Sequence, residues 1–246
     1  MLAGVSLDQV RAVVRDEVTS LIKPIQKGLA IVLSEQLDPW ENIRSTATDL
    51  MIEESGSHLA AVSEYYGTPQ KYFCMVLGKA TDCDIICAHI WPAHTHGMGM
   101  EAFDLKPEGV NAARNFLRLQ KDIEKAFDAK RLYFELASVD DDSLHLSVRI
   151  VDPNLKTEQI RVGDATSPAL LFSAIDGREF AHTFAPDKLP YKRLLAAHAM
   201  KTIQKAKSLG WINDDVGYTA RRARCFELAR LSLGEGSNTL KALFRK

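Results

Sequence analysis

His89 closes a strand-like run that reads Cys83-Asp-Ile-Ile-Cys-Ala-His89. Alternation puts Cys83, Ile85, Cys87 and His89 on one face and Asp84, Ile86, Ala88 and Ile90 on the other. Pro92 ends the strand. An imidazole titrates near neutral pH, which suits it to take a proton from an attacking water. The plainer alternative is a core histidine satisfied by hydrogen bonds. Further on, residues 120–129 read as a helix, and Glu124 and Asp128 stand four apart on one of its faces. Two carboxylates so placed repel unless something positive lies between them. Lys121 and Lys125 would serve on a solvated face; a divalent cation would serve at a site.

Three other groups carry polar chemistry nearby. Asn115 follows a polar loop and precedes the apolar Phe116, Leu117 and Leu119. Taken alone it reads as a turn or cap residue. Arg114 and Arg118 could neutralise charge on a phosphate or stand as surface cations. Cys74, Cys83 and Cys87 fall within fourteen residues. Their Cys-x8-Cys-x3-Cys spacing has no second pair and is not a zinc pattern. Small buried apolar residues are the expected role, so structural Zn²⁺ on Cys74, Cys83 and Cys87 is not expected.

In order, Cys74-Met-Val-Leu-Gly78, Ile85-Ile-Cys-Ala-His89-Ile-Trp-Pro92, Arg114-Asn115-Phe-Leu-Arg-Leu119 and Ile123-Glu124-Lys-Ala-Phe-Asp128 resemble the HNH endonucleases. These are the ββα-metal or His-Met finger nucleases, here in the branch whose strand reads Ala-His-Ile-x-Pro. The resemblance spans residues 72–136. It implies His89 as general base, with Asn115 bonding across the loop to hold the imidazole in one orientation. It implies Glu124 and Asp128 as metal ligands. The family usually has His where this chain has Glu124, and a carboxylate there shifts preference from Zn²⁺ and Ni²⁺ toward Mg²⁺ or Mn²⁺. The metal would polarise the scissile phosphate and stabilise the leaving 3′ oxygen, with His89 acting from the opposite side. The implied activity is metal-dependent hydrolysis of DNA phosphodiesters, RNA being open as a substrate. The alternative is a catalytically inactive HNH-like nucleic-acid-binding module, in which Glu124 marks the loss of catalysis. A third reading is a structural protein assembled through its N-terminal helix.

The elements around these residues set the expected class, α+β. A ββα-metal nuclease core with a small, mostly antiparallel sheet is expected over 71–186. A helical segment is expected at 1–70 and a basic helical segment at 187–246. The chain has 246 residues, 46% hydrophobic and 26% charged, as in ordinary soluble globular proteins. No apolar run approaches the ~20 residues that span a bilayer, so no membrane partner is expected. No signal peptide is visible, and four unpatterned cysteines suit a reducing compartment. The expected location is intracellular, in cytoplasm or nucleus; a fragment of a secreted effector would carry the same sequence.

The net charge of −1 hides an asymmetry: −5 over 1–70, −4 over 71–186 and +8 over 187–246. A basic C-terminal quarter suits phosphate-backbone binding, with Arg221, Arg222 and Arg224 on one helix as its contacts; a solvated helix face is the alternative. Near the start, Ser6-Leu-Asp-Gln9 reads as a capping box. Val10, Val14, Val18, Leu21, Ile25 and Val32 then form an apolar stripe. The stripe packs on the core or pairs with a second copy in a homodimer. Beyond the metal helix, Arg131–Ala137 and Ser143–Val151 read as a hairpin. Strands are expected at Lys71–Leu77, Thr157–Val162, Ala169–Ala174 and Glu179–Phe184, and helices at Tyr191–Leu209 and Thr219–Leu233.

Overall fold

The computed structural model describes residues 58–69, 72–79, 85–140, 143–162 and 169–231, together with Arg11, Glu17 and Trp40. The N-terminal apolar stripe, Cys83 and the chain past Leu231 lie outside the described residues.

Helix α1 (58–66) buries Val62 and Tyr66 and ends where Gly67 turns into the left-handed region at φ 65°. Thr68 N–H donates to Ser63 O and Gly67 N–H to Glu64 O, which closes the helix in a Schellman arrangement. Strands β1 (Phe73–Cys74) and β2 (Gly78–Lys79) form a tight antiparallel hairpin. The longer strand expected over Lys71–Leu77 breaks here, because Met75, Val76 and Leu77 turn. That turn points the Met75 N–H at Arg118 O, 2.8 Å away.

β3 (Ile85–His89) pairs antiparallel with β4 (Phe116–Gln120), with Ile85 opposite Gln120, Cys87 opposite Arg118 and His89 opposite Phe116. The strands are joined by a long connector of four 3-10 turns, from Ala93–Thr95 to Ala113–Asn115. β4 is buried at every position because β3 covers one edge and Met75 the other. Helix α2 (Lys121–Asp128) follows with no loop, since Gln120 caps it by accepting from the N–H groups of Asp122 and Ile123. α2 lies on both β3 and β4, burying Ile123, Ala126 and Phe127. This is a ββα unit.

β5 (Leu132–Asp140) and β6 (Ser143–Ile150) make the expected hairpin, with a register shift between Leu136 and Ser138. Alternation sends Leu132, Phe134 and Leu136 into the main core and Tyr133 to the other face. The segment expected as a strand from Glu179 runs along β6 through bridges at Glu179 and Phe184. Gly177 at φ 81° makes the turn into it. The expected strands at 157–162 and 169–174 shrink to β7 (Gln159–Ile160) and β8 (Leu170–Leu171), each flanked by a 3-10 turn. Helix α3 (Lys192–Ser208) packs on β5, and α4 (Asp215–Leu231) packs on α3. α4 starts earlier than expected, at Asp215, and takes Gly217 into its first turn.

The described residues are therefore mixed helix and antiparallel strand, the α+β class. One buried apolar cluster runs from Trp40 and Val62, through the ββα unit and the β5–β6 hairpin, to Leu194 and Leu195 of α3. A smaller one joins Tyr133 to Ala199, Ile203 and Cys225. Among the described residues no helix is long and apolar enough to cross a membrane.

Candidate active site

β3 delivers His89 to the edge of the ββα unit, where its ring lies 4.1 Å from that of Phe116 across the ladder. Its Nε2 is buried and has no hydrogen-bond partner among the described residues. Burial, and then the neighbouring His58, push its pKa down to about 4, against a bond from Asn111 that favours the charged form. The imidazole is therefore neutral at pH 7, with a nitrogen free to accept a proton. The plain core alternative needs a partner for that nitrogen, and the described residues supply none.

Asn115 is fully buried and binds backbone. Its Nδ2 donates to Trp91 O at 2.9 Å and Val110 O at 2.8 Å, and its Oδ1 accepts from Trp91 N–H at 2.9 Å. Its own carbonyl accepts from Ile90 N–H at 2.7 Å. Three of these bonds fix the chain just after His89 to the end of the connector, and the one to Val110 O ties the connector to itself. The expectation that Asn115 holds the imidazole itself is corrected: it positions the backbone on which His89 sits, and Asn111 reaches the ring. The connector also needs Gly99, at φ 92°, because a Cβ there would stand 2.9 Å from the Trp91 ring.

On α2, Glu124 and Asp128 are hydrogen-bonded to each other and half-buried. Desolvation pushes both carboxyls up, and Asp128 well above its usual range, since the neighbouring Glu124 adds repulsion. Lys121 and Lys125 act on Glu124 but do not reverse its shift. Two carboxyls held together share a proton, and a cation would take its place. Among the described residues no third His, Cys, Asp or Glu joins a group able to hold a metal. Mg²⁺ does not need one, because it keeps several waters and binds through one or two carboxylates plus substrate phosphate. The pair fits such an ion.

The arginines separate. Arg118 is fully buried; its Nη1 donates to Thr68 Oγ1 at 3.0 Å and to Pro69 O. The expectation of a phosphate contact is corrected there, because this guanidinium ties the end of α1 to β4. Arg114 is exposed, donating from Nε to Leu189 O at 2.9 Å and lying over the Tyr191 ring. Arg221 and Arg224 are exposed on α4, and Arg224 donates to Leu136 O at 3.2 Å. The side chain of Arg222 lies outside the described ones. Cys74 and Cys87 flank Arg118, and burial raises both thiols, Cys87 to about 11.

The sequence reading missed two residues at His89. His58 comes from α1 and Asn111 from the connector, and neither sits in a motif; only the closed fold brings them to β3.

Comparison with known proteins agrees with this geometry. The family model for HNH endonucleases matches residues 74–135. No curated protein and no solved structure matches the chain. The match begins at Cys74 and takes in β3, the connector, β4 and α2, the elements that carry His89, Asn115, Glu124 and Asp128. Residues 74–135 are thus a segment of the HNH endonuclease family.

Proposed function

We propose that this chain hydrolyses DNA phosphodiesters with a divalent cation, Mg²⁺ or Mn²⁺. The observation that carries the reading is His89 Nε2, which is buried, unbonded and unprotonated at neutral pH. His89 takes the proton of the attacking water. Asn115 and Asn111 hold that base in place, one through the backbone and the other at the ring. Glu124 and Asp128 hold the cation, which polarises the phosphate and stabilises the leaving oxygen when bound.

The layout supports the pairing of base and ligands. α2 follows β4 directly and lies on both strands. Base and ligand pair thus sit on elements of one ββα unit.

The test is plasmid nicking in EDTA, Mg²⁺ and Mn²⁺. Nicking only with added metal is expected. DNA bound but intact in every metal would instead mark an inactive nucleic-acid-binding module. RNA offered in the same assay decides between the two nucleic acids.

A further inference from the structure

A second imidazole stands beside the first, from outside the segment that matches the family. His58 of α1 stacks on Phe116, with ring centroids 5.0 Å apart and planes 28° apart. Phe116 is the cross-strand partner of His89. The two imidazoles meet edge to face, 6.4 Å between centroids and 72° between planes. Both rings are partly open to solvent, and no hydrogen bond joins them among the described contacts. A single oxygen bonded to both, at about 2.8 Å from each nitrogen, spans a gap of this size. The buried Nε2 of His89, without a partner among the described residues, is a second sign that a polar group is still to be supplied at this ring.

We infer that His58 is a substrate-binding residue of this site, donating a hydrogen bond to a non-bridging oxygen of the phosphodiester while His89 faces the attacking water. The inference rests on the nuclease reading and adds a residue to it. The alternative is that His58 only plugs the space over Phe116. His89 is the titratable group that the described structure sets against His58; Asn111 and Phe116 carry no charge. Charge on His58 disfavours charge on His89.

Two substitutions separate donor from plug. His58→Phe keeps a ring on Phe116 and loses the donor; His58→Gln loses the ring and keeps a donor. For cleavage of a DNA duplex, His58→Phe is expected to lower kcat/KM by about tenfold or more, with His58→Gln retaining more activity than His58→Phe. Independently, wild-type ring resonances are followed while the duplex is added in EDTA, where nothing is cleaved. Both His58 and His89 signals should move. A His58→Phe variant as active as wild type overturns the inference, and so does a His58 signal that stays still while His89 moves. A wild type that cleaves nothing in any metal overturns the nuclease reading instead, and the resonances then decide the place of His58 alone.

Discussion

Asn115 closes on Trp91 from both sides: its amide nitrogen donates to the Trp91 carbonyl and its amide oxygen accepts the Trp91 N–H, each at 2.9 Å. Only an amide side chain can do both. Asn115→Asp keeps the acceptor and loses the donor, leaving Trp91 O and Val110 O unpaired in the core. Asn115→Asp or Asn115→Ala should therefore cost about 2–4 kcal/mol of stability, read from urea unfolding. The residual activity should keep the wild-type pH profile, because the imidazole's own environment is untouched. A changed profile would return Asn115 to the ring.

His89 should work in mild acid. A base must be unprotonated, and with its pKa near 4 His89 remains so well below pH 7. At metal concentrations that keep Glu124 and Asp128 occupied, activity should stay flat on the acid side until the pH nears that value, whereas an ordinary imidazole would begin to fail near pH 6.5. His89→Gln should reduce cleavage by about 10²–10⁴-fold with the fold retained. The same shift has a thermodynamic consequence. Between about pH 6.5 and about 4 the unfolded chain binds a proton that the folded chain refuses. Stability falls as pH drops through that window, by on the order of 3 kcal/mol from this residue. His89→Gln should flatten the acid limb of a thermal-unfolding series; an unchanged limb would remove His89 as its source.

Glu124→Gln should trade function for stability. Both carboxyls are shifted up, so the folded chain keeps a proton there to a higher pH than the unfolded chain does. Removing one charge relieves that conflict, so the Tm in EDTA should rise. Added Mg²⁺ or Mn²⁺ should raise the wild-type Tm through binding to the folded state and leave the variant's Tm unmoved. Asp128→Asn should behave likewise. Glu124→His restores the family's usual ligand and should move preference toward Ni²⁺ or Co²⁺. A wild-type Tm that ignores every divalent ion would sink the metal assignment.

The arginines should divide between fold and charge. Arg118→Ala removes a buried guanidinium that joins α1 to β4 and should lower stability by about 2–4 kcal/mol. Arg221→Ala, on an exposed position of α4, should leave stability within about 0.5 kcal/mol. If α4 meets DNA, the same change should flatten the salt dependence of binding. Equal unfolding curves for the two variants would contradict the division. Truncating after Ala185 would not isolate this effect, because Leu194 and Leu195 of α3 belong to the main core.

The ββα unit was legible because its signals are local. Period-two alternation put His89 on one face with Ile85 and Cys87, and a spacing of four put Glu124 beside Asp128. What escaped depends on distant chain. Arg118 read as a phosphate contact or a surface cation because nothing near it in sequence announces Thr68 and Pro69. His58 had no motif at all. Met75, Val76 and Leu77 are as apolar as strand residues, and only Arg118 across the gap shows why they turn. Gly217 lies before the helix expected at Thr219–Leu233, yet α4 runs through it.

Trp40 donates from Nε1 to Ile90 O at 3.1 Å, directly after His89, and stands edge-on to His198. His198 in turn stacks on Phe127 at 3.7 Å and donates to its carbonyl, next to Asp128. Residues from far before and far after the family segment thus brace both halves of its chemistry. The consequence concerns modularity. A fragment cut to residues 74–135 would lose these braces along with β6 and α3, exposing Phe127 and Phe134. Grafted onto another protein, it would arrive without the walls that keep His89 neutral. The unit can change its substrate only in concert with the chain around it, so variants selected for new specificity should gather at Trp40, His58 and His198 as well as within the motif.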